Sequence, residues 1–183
     1  MHELDVALTR WVNSLAGSIT VLDQIMIWAS AIGVPLMVLS VALQWWARKD
    51  RRHTRHVLVA SGLTFILGLA INQVILLFIH RLRPYDGGIT ELIIAPSTDY
   101  SFPSDHATAT FAIATAFLLH RMPRRGVVYL ASALLVTISR VYVGTHYVSD
   151  VAGGALTAVL AALVVRAAYR EGTGLDVAIT NIL

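Results

Sequence analysis

Apolar residues run almost unbroken through five stretches of the chain, at about 22–46, 57–79, 107–120, 127–142 and 151–168, with short polar connectors between them. An apolar run of roughly 20 residues matches the hydrocarbon thickness of a bilayer when it is helical. A helix also satisfies its own backbone where no water can. The pattern therefore predicts an all-α fold: an integral membrane bundle of five transmembrane helices. Residues 1–18 read differently. Leu4, Leu8, Trp11, Val12 and Leu15 recur at helical spacing while Glu3, Asp5, Arg10 and Asn13 fall elsewhere. This predicts an amphipathic helix, lying on the membrane surface or packed against the bundle. Pro35 is expected to kink the first span. Trp45 and Trp46 close it as an interfacial aromatic belt would. Asn72 and Gln73, inside the second span, are expected to hydrogen-bond between helices. No internal repeat or low-complexity stretch interrupts the pattern, so residues 1–183 are read as one membrane domain.

Composition agrees with that reading. Of the 183 residues 56% are hydrophobic and 14% charged, against about 25% charged in a soluble domain. The net charge of +3 comes from basic residues spread through the connectors, a matter of topology and not of nucleic-acid binding. The absence of cysteine excludes disulfides and thiolate metal sites. Glu3 and Asp5 stand where a signal peptide would carry its basic region, so no signal peptide is expected.

Charge also orients the spans. Arg48, Lys49, Arg51, Arg52 and Arg55 follow the first, Arg121, Arg124 and Arg125 the third, and Arg166 and Arg170 the fifth. These ten of the fourteen basic residues share one side. Arg10, Arg81, Arg83 and Arg140 fall on the other. Positive-inside topology makes the ten cytoplasmic, with the N-terminus outside and the C-terminus inside.

Three polar clusters then meet at the outer face: His80-Arg81-Leu82-Arg83-Pro84, Ser101-Phe102-Pro103-Ser104-Asp105-His106, and Ser139-Arg140 with His146 and Asp150. Each has an ordinary explanation. An arginine at a span end snorkels to the headgroups, Ser104 before an apolar run caps a helix, and a loop histidine is solvated. Together they suit phosphoryl transfer. Guanidinium groups match phosphate oxygens bidentately and keep their charge, which fits Arg83 and Arg140. A helix opening at Ser104 aims unpaired N–H groups at an anion. Asp150, four residues after His146, can accept from one ring nitrogen and leave the other free to attack phosphorus. His106 is placed to protonate the departing oxygen.

The order Arg-Pro, then Pro-Ser-x-His, then Ser-Arg-x5-His-x3-Asp resembles the type 2 phosphatidic acid phosphatase superfamily, which also contains the vanadium haloperoxidases. The resemblance spans residues 83 to 150 by motif and the other spans by layout. It implies His146 as nucleophile, Asp150 as its orienting partner and His106 as acid and later base. It also implies that Arg83, Ser104 and Arg140 hold the phosphate, with no metal or other cofactor and no obligate protein partner. Two positions depart from the family pattern: Leu76 stands where the first motif opens with lysine, leaving Arg81 as a candidate for the missing cation, and Asp105 replaces glycine before the histidine. The string Ser-Phe-Pro-Ser-Asp-His resembles the short bacterial branch acting on undecaprenyl diphosphate in cell-wall synthesis. That implies a bacterial inner-membrane enzyme with its site facing the periplasm or cell exterior. Other substrates in view are phosphatidylglycerol phosphate, phosphatidic acid and lipid A phosphates. A zinc hydrolase using His106, His146 and Asp150 is disfavoured by the two neighbouring arginines. A transporter would hold its polar site nearer the bilayer midplane.

Overall fold

The computed structural model describes residues 2–182, and these form seven helices: α1 (His2–Asn13), α2 (Thr20–Leu43), α3 (Arg51–Leu76), α4 (Asp105–Leu119), α5 (Pro123–Tyr142), α6 (Val148–Ala168) and α7 (Gly174–Thr180). A 3₁₀ turn, Gln44–Trp46, extends α2. Among the described residues four helices are long and apolar enough to cross a membrane: α2 with its extension, α3, α5 and α6. The remaining expected span, the third in chain order, is α4, which has 15 residues. At 1.5 Å per residue it covers about 22 Å of a hydrocarbon core about 30 Å thick. It is walled in by α3, α5 and α6, and Ala107, Ala112, Ala114, Ala116 and Phe117 on it are completely buried.

Small residues make that central packing possible. A Cβ on Gly154 of α6 would meet the Ser104 carbonyl oxygen at 2.4 Å, and one on Gly68 of α3 would meet the Thr108 methyl at 2.8 Å. Close approach of this kind stabilises helix pairs where lipid offers no hydrophobic driving force. Asn72 bridges α3 to α4, donating to Asp105 Oδ1 at 2.7 Å and Thr108 Oγ1 at 2.9 Å, as expected of an intramembrane amide. Gln73 lies on the exposed side instead.

Successive helices alternate in direction, so their ends form two layers. In one layer Tyr142 Oη, at the end of α5, donates to Asp23 Oδ1 near the start of α2 at 2.7 Å. There too the Ser104 N–H donates to the Asp150 carbonyl at 3.1 Å, joining the starts of α4 and α6. In the other, basic layer, Arg55 donates to the Trp45 and Thr180 carbonyls, and a His53 ring nitrogen lies 3.0 Å from the His120 carbonyl. These contacts explain why α3 starts at Arg51 and not at residue 57: Arg55 and His56 are buried by packing, which a hydropathy pattern does not register. Residues 77–79 leave the helix.

Two elements add to the sequence reading. Helix α1 turns its polar stripe inward: Thr9 and Asn13 are buried while Leu4, Leu8, Trp11 and Leu15 face out. Asn13 alone joins three backbone groups, those of Glu91 (N–H and carbonyl) and Tyr142 (carbonyl). The helix packs on the bundle with an apolar stripe left free for lipid. Helix α7 has no counterpart in the apolar pattern. It docks through Asp176, fully buried, whose carboxylate meets His56 at 2.8 Å, Tyr169 Oη at 2.7 Å and the Gly172 N–H at 2.8 Å.

Candidate active site

The 28 residues between α3 and α4 have no regular structure, and a loop that long inside a compact domain is usually functional. Side chains and backbone of the first layer hold it down. Thr90 Oγ1 donates to the Gly144 carbonyl, the Ile93 N–H to Val143, and the Ser101 N–H to Arg81. Gly144, at φ +89°, makes the tight turn that carries the chain from α5 to His146, with the Glu91 carbonyl oxygen where a Cβ would stand. The loop thereby brings its own Arg83 and the start of α4 against the α5–α6 turn.

The result is a cavity of about 110 Å³ lined by Arg83, Asp99, His106, Arg140 and His146, with Leu76, Tyr100, Pro103 and Asp105 among the rest of its wall. At about 30 Å³ per water molecule, it has room for a phosphoryl group. Four of the five residues expected to converge do line it: Arg83, His106, Arg140 and His146. Ser104 is completely buried behind the wall, between lining residues Pro103 and Asp105. Its hydroxyl has no partner among the described residues, and neither has Arg140 Nε. Buried polar atoms are almost always paired. Two unpaired ones beside a cationic cavity suit a site that receives an anion.

Each charged group has a definite anchor. Arg83, 3% exposed, donates from Nε to the Asp99 carbonyl at 3.0 Å and from Nη1 to the Thr145 carbonyl at 2.9 Å. Its Nη2 meets Asp99 Oδ1 at 2.8 Å. Arg140 donates from Nη1 to Ser30 Oγ of α2 at 2.5 Å. Ser139, part of the third motif, bonds back to the Val136 carbonyl and serves the helix.

His146 Nδ1 lies 2.9 Å from the Ser101 carbonyl, an obligate acceptor, so this nitrogen carries the proton. Nε2 is then the unprotonated nitrogen, facing Arg83 Nη1 at 3.3 Å. Asp150 Oδ2 stands 3.6 Å from Nδ1, beyond a hydrogen bond. The Nδ1 hydrogen bond thus goes to a backbone carbonyl, with the Asp150 carboxylate beside it. The carboxylate, fully buried, accepts from Ser101 Oγ at 2.5 Å, the Tyr147 N–H at 2.8 Å and Arg81 Nη1 at 2.6 Å. Burial lowers the His146 pKa, with Arg140 and Arg83 adding to it against an upward pull from Asp150, so the ring rests neutral. Burial pushes Asp99 upward, but Arg83 beside it prevails and holds its carboxyl below the usual range. Leu76 lines the cavity with an apolar wall where the family pattern has a cation, and Arg81 is turned away toward Asp150. Among the described residues no three histidine or carboxylate side chains converge as metal ligands.

Sequence reasoning did not single out Ser30, Asp99 or the Ser101 carbonyl. A serine in the apolar run of α2 was a signal for the first; a backbone acceptor leaves none.

A family model of the PAP2 superfamily matches residues 57–173, the segment that carries every residue named round the cavity except Ser30. The chain belongs to the PAP2 superfamily. It is 34% identical over 149 residues to undecaprenyl-diphosphatase BcrC of Bacillus subtilis, covering 81% of this chain and 76% of that one. It is 31% identical to phosphatidylglycerophosphatase B of the same organism, covering 79% and 68%. Its fold matches the crystal structure of a transmembrane PAP2-type phosphatidylglycerolphosphate phosphatase from B. subtilis, with a TM-score of 0.69, 24% identity, and coverage of 94% of this chain and 88% of that one. This PAP2 protein is a membrane-embedded lipid phosphatase.

Proposed function

We propose that the protein hydrolyses undecaprenyl diphosphate to undecaprenyl phosphate at the outer face of a bacterial inner membrane, through a phosphohistidine on His146. The observation that carries the mechanism is the His146 tautomer. Nδ1–H is committed to the Ser101 carbonyl, and the Nε2 lone pair points toward Arg83 in a cavity also lined by Arg140 and His106. Arg83 and Arg140 bind the terminal phosphate, and N–H groups opening α4 beside Ser104 add a positive dipole end. Nε2 attacks phosphorus, the N–P bond forms, and the bond to the bridging oxygen breaks. His106 gives that oxygen its proton where the leaving group needs one. In the second step His106 takes a proton from water, whose oxygen attacks phosphorus as the N–P bond breaks, releasing inorganic phosphate and returning His146 to its neutral state. Asp150 stabilises the charge that the imidazole gains on phosphorylation.

The substrate rests on likeness to the undecaprenyl-diphosphatase of B. subtilis, and the outward orientation on the basic layer being cytoplasmic. Purified full-length protein, offered undecaprenyl diphosphate beside phosphatidic acid and phosphatidylglycerol phosphate, is expected to release phosphate fastest from the diphosphate. Faster release from phosphatidylglycerol phosphate would transfer the assignment to that lipid. A reporter fused after Ile182 that reads as external would reverse the orientation.

A further inference from the structure

Arg81 follows Leu76, which stands where the family pattern has its lysine, by five residues, yet it does not line the phosphate cavity. Both terminal nitrogens of its guanidinium are engaged behind it. Nη1 donates to Asp150 Oδ1 and Ser149 Oγ, both at 2.6 Å, and Nη2 to Asp5 Oδ2 at 2.7 Å. The group also stacks 3.7 Å over the Tyr147 ring. Asp5 in turn accepts from the Ser149 N–H at 2.9 Å and Ser149 Oγ at 2.5 Å. A row of alternating charge thus runs from α1, through the loop, to the carboxylate behind His146.

We propose that Arg81, held in place by Asp5 of α1, is a positioning residue that sets the charge and placement of Asp150 behind the nucleophile. The inference rests on His146 being that nucleophile. Asp150 is fully buried, and a buried carboxylate needs a countercharge. A neutral His146 does not provide one, and Arg81 does. By sharing Asp150 it also limits how strongly the carboxylate draws a proton onto the imidazole, which keeps the ring nucleophilic at rest. When the ring becomes phosphorylated and positive, the carboxylate is already paired with Arg81, oriented and close. Asp5 fixes the far side of the guanidinium, and it belongs to α1, outside the segment matched by the family model. The N-terminal helix therefore reaches the reaction through the Asp5–Arg81 ion pair.

The test compares Arg81→Gln, Arg81→Lys and Asp5→Asn with the wild-type full chain in detergent. Arg81→Gln is expected to lower kcat by about 10- to 100-fold with KM little changed. The acid limb of its kcat/KM profile is expected to move up by about one pH unit, because Asp150 then acts undivided on His146. The other charged or titratable groups facing that ring are Arg83, Arg140, His106 and Asp99, and all remain. Arg81→Lys restores most of the limb, and Asp5→Asn combined with Arg81→Gln is no worse than Arg81→Gln alone. A raised KM at constant kcat would make Arg81 a phosphate ligand and overturn the proposal. So would a uniform loss with an unmoved pH profile, which marks a structural brace. Imidazole ¹⁵N NMR titration of His146 reads the same shift with no substrate present. A wild type without phosphatase activity would then refute the proposed reaction, while an unmoved His146 titration in Arg81→Gln refutes the positioning role.

Discussion

His146 donates its Nδ1 proton to the carbonyl of Ser101 at 2.9 Å and leaves Asp150 at 3.6 Å. The tautomer is thus set by main chain, and the carboxylate is free to be shared with Ser101 Oγ, the Tyr147 N–H and Arg81. This division of labour between a backbone acceptor and a charge shapes how the site responds to substitution.

Asp150→Asn is expected to reduce kcat by about a hundredfold, less than the roughly 10⁴-fold loss when a carboxylate alone holds the imidazole tautomer. The Ser101 carbonyl keeps Nε2 unprotonated in the variant, and only charge stabilisation is lost. A loss as large as that of His146→Ala would show that Asp150 also governs the tautomer. Single-turnover phosphoenzyme formation is the measurement.

The two histidines separate by leaving group. His146→Ala should abolish turnover and acid-quenched, base-stable phosphate labelling with every substrate. His106→Ala should lower turnover of phosphatidic acid by about 10²–10⁴-fold, since an alkoxide must be protonated as it departs. The first step with an aryl phosphate, or with a diphosphate whose leaving group is itself a phosphate, should suffer less, and phosphoenzyme should accumulate. Equal defects on all three substrates would remove the acid role from His106.

Asp99 occupies Arg83 Nη2 at 2.8 Å from the exposed side of the cavity. An incoming phosphate competes for the same donor. Asp99→Asn should therefore lower KM severalfold with kcat unchanged. A higher KM would mean that Asp99 serves to orient Arg83 for the substrate.

Gly144→Ala is expected to harm both stability and rate. A Cβ there would lie 2.3 Å from the Glu91 carbonyl oxygen, in a backbone at φ +89°. The conformational strain alone costs about 1–3 kcal/mol. At about 2–4 °C per kcal/mol for a chain of this size, thermal unfolding in detergent should show a clear drop in Tm. Because His146 lies two residues on, kcat should fall with it.

At the opposite end, burial pushes Asp176 upward, but the Gly172 N–H, Tyr169 and His56 outweigh it and hold the carboxyl below its usual pKa. Its folded value is thus below the unfolded one of about 3.9. The stabilisation is complete above that pH and disappears as pH falls through the folded value. Protection of α7 against proteolysis should accordingly be lost on acidification below about pH 4. Asp176→Asn should be unprotected at neutral pH as well. Equal protection of that variant at neutral pH would show that α7 docks without the buried carboxylate.

The order and spacing of side chains along the chain determined much of this. Apolar runs specify helices because a backbone in lipid must bond to itself, and the basic connectors specify how their ends group. Arg83, His106, Arg140, His146 and Asp150 were legible as chemistry because charged and titratable groups near an apolar interior are costly without a role. Packing decided the rest. Helix α4 is only 15 residues long because the helices around it, not the bilayer, bury its sides. Arg55 and His56 look like connector residues and lie inside a helix, since Thr180 and Asp176 of α7 satisfy them across more than a hundred residues. Leu76 as cavity wall, Arg81 as partner of Asp150, and the Ser101 carbonyl as keeper of the His146 proton depend on distances between segments. A linear sequence carries the identity of each donor and acceptor, but a hydrogen bond is decided within a few tenths of an ångström, and only the folded chain sets those separations.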